Sequence, residues 1–175
     1  MSSLRADFDE LRERIRHGRE LGHASFVDAF GHLYSTENLN MFLEQAYSLS
    51  TVEAELANSA RLFRIAERDG LMVGYCKIGF DITLEHDGKG RRVMELKQLY
   101  MRGNETGSGI GAALMTWALG EARARGFDDV ILSVWSKNYG AQRFYARHGF
   151  EKIGDTIFMV GNHRDEEHLM GLRLR

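Results

Sequence analysis

The stretch Thr106-Gly107-Ser108-Gly109-Ile110-Gly111-Ala112 sets glycine at alternate positions, between an apolar run ending Leu99-Tyr100-Met101 and a long helical pattern. Glycines let a ligand reach the backbone, and the first N–H groups of a helix lack intrahelical acceptors. With the positive end of the helix dipole, such a turn suits a phosphate; without a ligand it is a flexible turn and a helix cap. A P-loop would continue Gly-Lys-Ser/Thr, but here Gly111-Ala112-Ala113 follows. Gly107, Gly109 and Ala112 do satisfy the dinucleotide pattern G-x-G-x-x-G/A, with Asp128 or Asp129 further on. The context opposes that reading, because an antiparallel meander precedes the turn and too little chain follows for a doubly wound sheet. Downstream, Tyr145 offers a phenol that stays protonated at neutral pH and can donate to a departing anion, or else serves as a core aromatic. Upstream, Glu95 offers a carboxylate on a strand, where such a residue is usually solvated or ion-paired.

These groups need elements to hold them. Ser25 to Leu33 and Asn38 to Tyr47 carry apolar residues at helical spacing, and Thr51 can cap a third helix. Leu4 to Ile15 reads as a highly charged amphipathic helix. After Ala60 the pattern turns to strands: Leu62 to Glu67, an Asp69-Gly70 hairpin turn, Met72 to Phe80, then Val93 to Met101. Simple alternation places Glu95, Lys97 and Leu99 on one face of the last strand, and Leu96, Gln98 and Tyr100 on the other. The glycine turn then opens a helix to about Arg125, followed by a buried strand from Asp129 to Trp135 and a helix from Asn138 to His148. Phe150 to Val160 and Glu167 to Leu174 form a closing pair of strands around Gly161 to Asp165. The order predicts one α/β domain with a mixed sheet spanning 1–175.

The 23 basic and 25 acidic residues nearly cancel, so net charge points to neither nucleic acid nor an anionic membrane. Residues 1–21 contain no apolar stretch of signal or membrane length, and the single cysteine, Cys76, lies in an apolar run. Both suit a cytoplasmic protein with a core thiol. His163 and His168, with no cysteine nearby, read as surface histidines rather than metal ligands.

Met101-x-x-x-x-Thr106-Gly107-Ser108-Gly109-Ile110-Gly111, followed by Asn138-x-x-Ala141-x-x-Phe144-Tyr145-x-x-x-Gly149-Phe150, resembles the GNAT superfamily of acetyl-CoA-dependent N-acetyltransferases. The resemblance runs from about Phe26 to the carboxyl terminus, and its form is similar to the bacterial spermidine/spermine acetyltransferases. It implies a mainly antiparallel central sheet splayed between the strands ending near Met101 and Trp135, with helices on both faces. It further implies acetyl-CoA or CoA as cofactor. The implied cofactor contacts are Leu99, Tyr100 and Met101 on the pantetheine, the turn Thr106, Gly107, Ser108, Gly109, Ile110, Gly111 and Ala112 on the pyrophosphate, and Asn138, Ala141 and Arg147. Tyr145 falls at the family's general acid, and Glu95 where some members carry a base. The acceptor would be a small-molecule amine, polyamine-like, with Glu37, Asp81, Glu95, Asp155 and Glu167 available to a cation. The alternative is a non-catalytic CoA-binding regulatory module of the same fold.

The chain departs from the family at Gly103, where proline is usual, at Thr106, where Gln or Arg is usual, and at Ser108, often Lys or Arg. Backbone N–H groups would then carry most of the phosphate binding, with Arg102, Arg143 or Arg147 restoring charge. The family's first strand is either Arg12 to Arg19 or replaced by the amino-terminal helix. The exposed edge of the closing hairpin could join a second copy.

Overall fold

The computed structural model describes residues 18–86, 88–105 and 107–175. The sequence-predicted helix Leu4–Ile15 and residue Thr106 lie outside the described residues. The chain is helical over 18–30 (α1), which removes the strand alternative at residues 18 and 19, and a single 3-10 turn follows at Gly31–Leu33.

Two helices come next, α2 (Thr36–Ala46) and α3 (Leu49–Ala57), each entered through a serine whose hydroxyl accepts a backbone N–H: Ser35 from Asn38 and Ser48 from Thr51. The cap of α3 is therefore Ser48, three residues before the expected Thr51, whose own hydroxyl donates instead to the Gln45 carbonyl at 2.9 Å. Such capping satisfies N–H groups that a helix start leaves free.

Strands β1 (Arg61–Arg68), β2 (Leu71–Gly79) and β3 (Val93–Met101) form the antiparallel meander. Then come α4 (Ile110–Ala124), β4 (Asp129–Trp135), α5 (Tyr139–Arg147), β5 (Glu151–Val160) and β6 (His163–Arg173). The six-stranded sheet has the order β1-β2-β3-β4-β6-β5, antiparallel except where β3 meets β4. The final hairpin turns tightly at Gly161-Asn162, so β6 begins four residues earlier than the sequence pattern suggested and Asp165 becomes a strand residue.

One face of the sheet packs α4 and α5 through Cys76, Ile78, Met94, Leu96, Leu114, Met115, Ala118, Val130, Leu132 and Tyr145. The other face packs the amino-terminal helices through Leu21, Phe26, Leu43, Tyr47, Met72 and Tyr75. The side chains of β3 do not alternate simply between these faces. Ile78 pairs with Leu96 but Lys77 pairs with Gln98, so Lys97 is an extra residue, a β-bulge. As a result Leu99 joins the α4 core with Leu96, while Tyr100 packs with Tyr75 on the opposite face. The expected grouping of Leu99 with Glu95 and Lys97 is corrected by this one-residue insertion.

Among the described residues no helix is long and apolar enough to cross a membrane. Cys76 is fully buried, and burial pushes its thiol up to about 12. It is therefore expected to resist thiol reagents until the protein unfolds, which titration with and without denaturant checks. Leu132, 1% exposed at the centre of the sheet, is expected to cost about 2–5 kcal/mol on Leu132→Ala, whereas Leu71→Ala, at 59% exposure, should fall within about 0.5 kcal/mol. Denaturant unfolding measures both.

Candidate active site

β3 and β4 hydrogen-bond through only three residue pairs, Val93 with Asp129, Met94 with Val130 and Glu95 with Ile131. Beyond them the strands diverge, so β3 from Leu96 to Met101 faces the gap with backbone groups that β4 does not satisfy. A cleft of about 630 Å³ opens there, lined by β3 from Leu96 to Met101, the glycine turn, β4 from Ser133 to Trp135 and α5. Its remaining walls come from α1 and Tyr34 and from Phe158, Asp165 and Glu167 of the closing hairpin.

The three glycines differ in role. Gly107 and Gly109 both take φ of +86°, a left-handed conformation, and the space where a Cβ would stand is open. At Gly111, instead, a Cβ would come within 3.0 Å of the Met101 side chain, so the missing side chain lets α4 lie close on β3. The helix start leaves the N–H groups of Ile110, Gly111 and Ala112 without intrahelical acceptors. The Ser108 N–H and hydroxyl both donate to the Glu105 carbonyl, at 3.1 and 2.6 Å, and so hold the turn in shape. Buried Glu105 meets the Arg68 guanidinium at 2.7 Å, tying the turn to the end of β1.

α5 brings Asn138, Ala141, Tyr145 and Arg147 to the cleft together. The Asn138 side chain accepts from the Ala141 N–H at 3.1 Å and caps the helix. Arg147 is exposed at the cleft, whereas Arg102 and Arg143 do not line it. Tyr145 is 9% exposed, and its phenol pKa is raised above the ordinary value chiefly by burial, then by Cys76 and the charge of Glu167. It is a neutral hydrogen-bond donor throughout the physiological range.

The structure does not bring Glu95 to the cleft. Its carboxylate accepts from the Thr83 N–H at 2.6 Å and the Thr83 hydroxyl at 3.0 Å, and pairs with Lys97 at 2.9 Å. Asp81 is spent on Arg61, Asp155 faces Lys152 and His168, and Glu37 lies exposed on α2. Glu167 does line the cleft, beside Asp165. Sequence reasoning missed Asp165 because the stretch Gly161 to Asp165 reads as a polar loop. The available signal was alternation: Asp165, Glu167 and Leu169 share one strand face. The Tyr34 hydroxyl donates to Asp165, and His163 lies 3.3 Å from its other oxygen. Phe158 and Trp135 stand opposite these carboxylates in the sheet, and the Phe30 ring meets Trp135 edge-on at 6.1 Å.

A family profile described as acetyltransferase (GNAT) family matches residues 25–150, most of the chain. The chain belongs to this family. An uncharacterized N-acetyltransferase of Lactobacillus delbrueckii subsp. lactis is 27% identical over 161 residues, covering 92% of this chain and 90% of the relative. An uncharacterized N-acetyltransferase of Mycobacterium tuberculosis is 33% identical over 134 residues, 77% of this chain and 81% of the relative. In fold, the chain is similar to a PaiA N-acetyltransferase of Thermoplasma acidophilum solved with coenzyme A, with a TM-score of 0.72 at 21% identity over 92% of this chain and 93% of that one. The protein is an acetyl-CoA-dependent acyltransferase of mixed α/β GNAT fold, and acetyl-CoA or CoA is its cofactor.

The backbone of the turn sets a test for this acetyltransferase. Gly109→Ala forces a side chain into φ of +86° and is expected to cost about 1–2 kcal/mol and to weaken acetyl-CoA binding. Gly103→Ala, where the space for a Cβ is open and no left-handed φ is required, should leave both unchanged. Thermal unfolding and calorimetric titration with acetyl-CoA distinguish the two.

Proposed function

We propose that this acetyltransferase moves acetyl from acetyl-CoA to a primary amine of a small, cationic, polyamine-like molecule. The observation that carries the acceptor class is the pair of carboxylates, Asp165 and Glu167, set among Tyr34, Trp135 and Phe158 on one wall of the cleft. Carboxylates attract an ammonium group, and aromatic rings accept both its charge and its methylene stem.

The cofactor supplies an activated acetyl group and a thiol leaving group. In this reading Gly107, Gly109, Ile110, Gly111 and Ala112 offer the phosphates backbone N–H groups at a helix start, while Ser108, whose N–H is given to the Glu105 carbonyl, holds the turn in shape; Thr106 precedes them in the sequence. Arg147 adds charge from α5. Leu99, Tyr100 and Met101 hold the pantetheine along the unpaired edge of β3, with Asn138 and Ala141 facing them from α5. Fixed N–H groups in that splay are also available to the oxyanion that develops during acyl transfer. Tyr145 donates its phenolic proton to the departing sulfur.

Steady-state assays of thiol release with an amine panel test this. Cationic diamines and polyamines should be acetylated with kcat/KM at least about tenfold above acidic amino acids, in keeping with the cost of bringing like charges together. Tyr145→Phe should lower kcat by about 10²–10⁴-fold without changing acetyl-CoA affinity. Preference for an acidic acceptor would contradict the acceptor class, and full turnover by Tyr145→Phe would contradict the acid.

A further inference from the structure

The acetyl acceptor arrives as an ammonium ion and must lose a proton before it can attack, and the position in the strand pattern expected to supply the base does not reach the cleft. Both Glu95 oxygens are occupied by Thr83, and Lys97 neutralises the charge. Two carboxylates do line the cleft, and their partners separate them. Asp165 is committed at both oxygens, one taken by the Tyr34 hydroxyl and the other facing His163. Glu167 makes no ion pair among the described residues, and the side chain that influences it from β4 is the neutral Ser133, which lines the same cleft and leaves the carboxylate able to accept a proton donor.

The sheet places Glu167 directly opposite Trp135 on β4 and Thr156 on β5, at the mouth of the splay. The groups that feel its charge come from the elements around that opening: Tyr145 on α5, Tyr100 on β3, and Tyr34 after α1. On β6 itself the neighbouring charge is Asp165. Glu167 and Tyr145 thus reach one cavity from opposite faces of the sheet, one suited to accept a proton and the other to donate one.

Resting on the acetyltransferase reading above, we propose that Glu167 is the base that takes the proton from the acceptor ammonium, with Ser133 and Asp165 as the residues that position and tune it. An N–H bond of the ammonium breaks and an O–H bond forms on Glu167. The freed lone pair forms the C–N bond as the C–S bond breaks. The phenolic proton of Tyr145 goes to sulfur, the second nitrogen proton restores the phenol, and Glu167 returns its proton to water.

The tuning has a sign. Burial and the Asp165 charge raise the Glu167 pKa above that of an ordinary glutamate, and the Ser133 bond lowers it. A base works in its ionised form, so activity falls as pH drops through this raised pKa. Asp165→Asn removes a raising charge and should move the acid limb of kcat/KM to lower pH. Ser133→Ala removes the lowering bond and should move it to higher pH. Neither displacement should depend on the pKa of the amine used.

The deciding variant is Glu167→Gln, assayed as the full chain with a polyamine acceptor across pH. We expect kcat/KM to fall about 10²–10³-fold near neutral pH, with acetyl-CoA affinity kept, and the deficit to narrow as pH rises and solvent deprotonates the amine. Glu167→Asp should retain an acid limb at a reduced rate. Turnover by Glu167→Gln within about threefold of wild type, a deficit equal at every pH, or loss of acetyl-CoA binding would each overturn the assignment. Wild-type protein inactive toward every amine would instead defeat the broader reading, so the two failures are distinguishable.

Discussion

The separation of β3 from β4 after three paired residues is the constraint on which the site depends. A sheet that stops pairing in its interior leaves backbone donors and acceptors unmatched, and such groups are costly when kept from water. Here the cost falls in a cleft, where solvent or an extended ligand can meet them. Two features flank the opening. The extra residue Lys97 bends β3 and changes which side chains face each core, and α5 packs Tyr145 into the α4 core beneath the opening. The amide edge, the helix start at Gly109 and the phenol of Tyr145 consequently converge on one cleft.

The carboxylates on the face of the amino-terminal helices are sorted by their partners rather than by position. Glu95 and Lys97, both 7% exposed at the side chain, close on each other with Thr83, a fully satisfied group with no free oxygen for chemistry. Lys97 is itself held below the ordinary lysine range by burial, with Glu95 opposing that effect. Glu55 meets Lys77 at 2.7 Å in the same way. Asp165 and Glu167, on the far side of the splay, are the carboxylates that the cleft receives. The face therefore divides into a structural charge network under β1 to β3 and an acidic aromatic wall under β4 to β6.

Much of this is legible in the sequence. Strand β4 and the end of β3 fall where their apolar runs place them, and Asn138, Ala141 and Tyr145 share a helix face because three- and four-residue spacing requires it. What escaped the sequence depended on pairing. A one-residue bulge leaves no mark in composition, yet it moved Leu99 to the opposite face from Glu95. Asp165 sat in a polar stretch that a tight Gly161-Asn162 turn converts into strand. The sequestration of Glu95 depended on Thr83, twelve residues away in a loop, and no local pattern announces such a partner.

Hydrogen–deuterium exchange with and without acetyl-CoA measures the central claim most directly, because it reads the amides of the splay themselves. If the diverging edge of β3 and the glycine turn hold the cofactor, acetyl-CoA should slow exchange at 96–101 and 107–112 well beyond any change in β1 or β5. Protection confined to other segments, or exchange unaltered at saturating acetyl-CoA, would contradict the account.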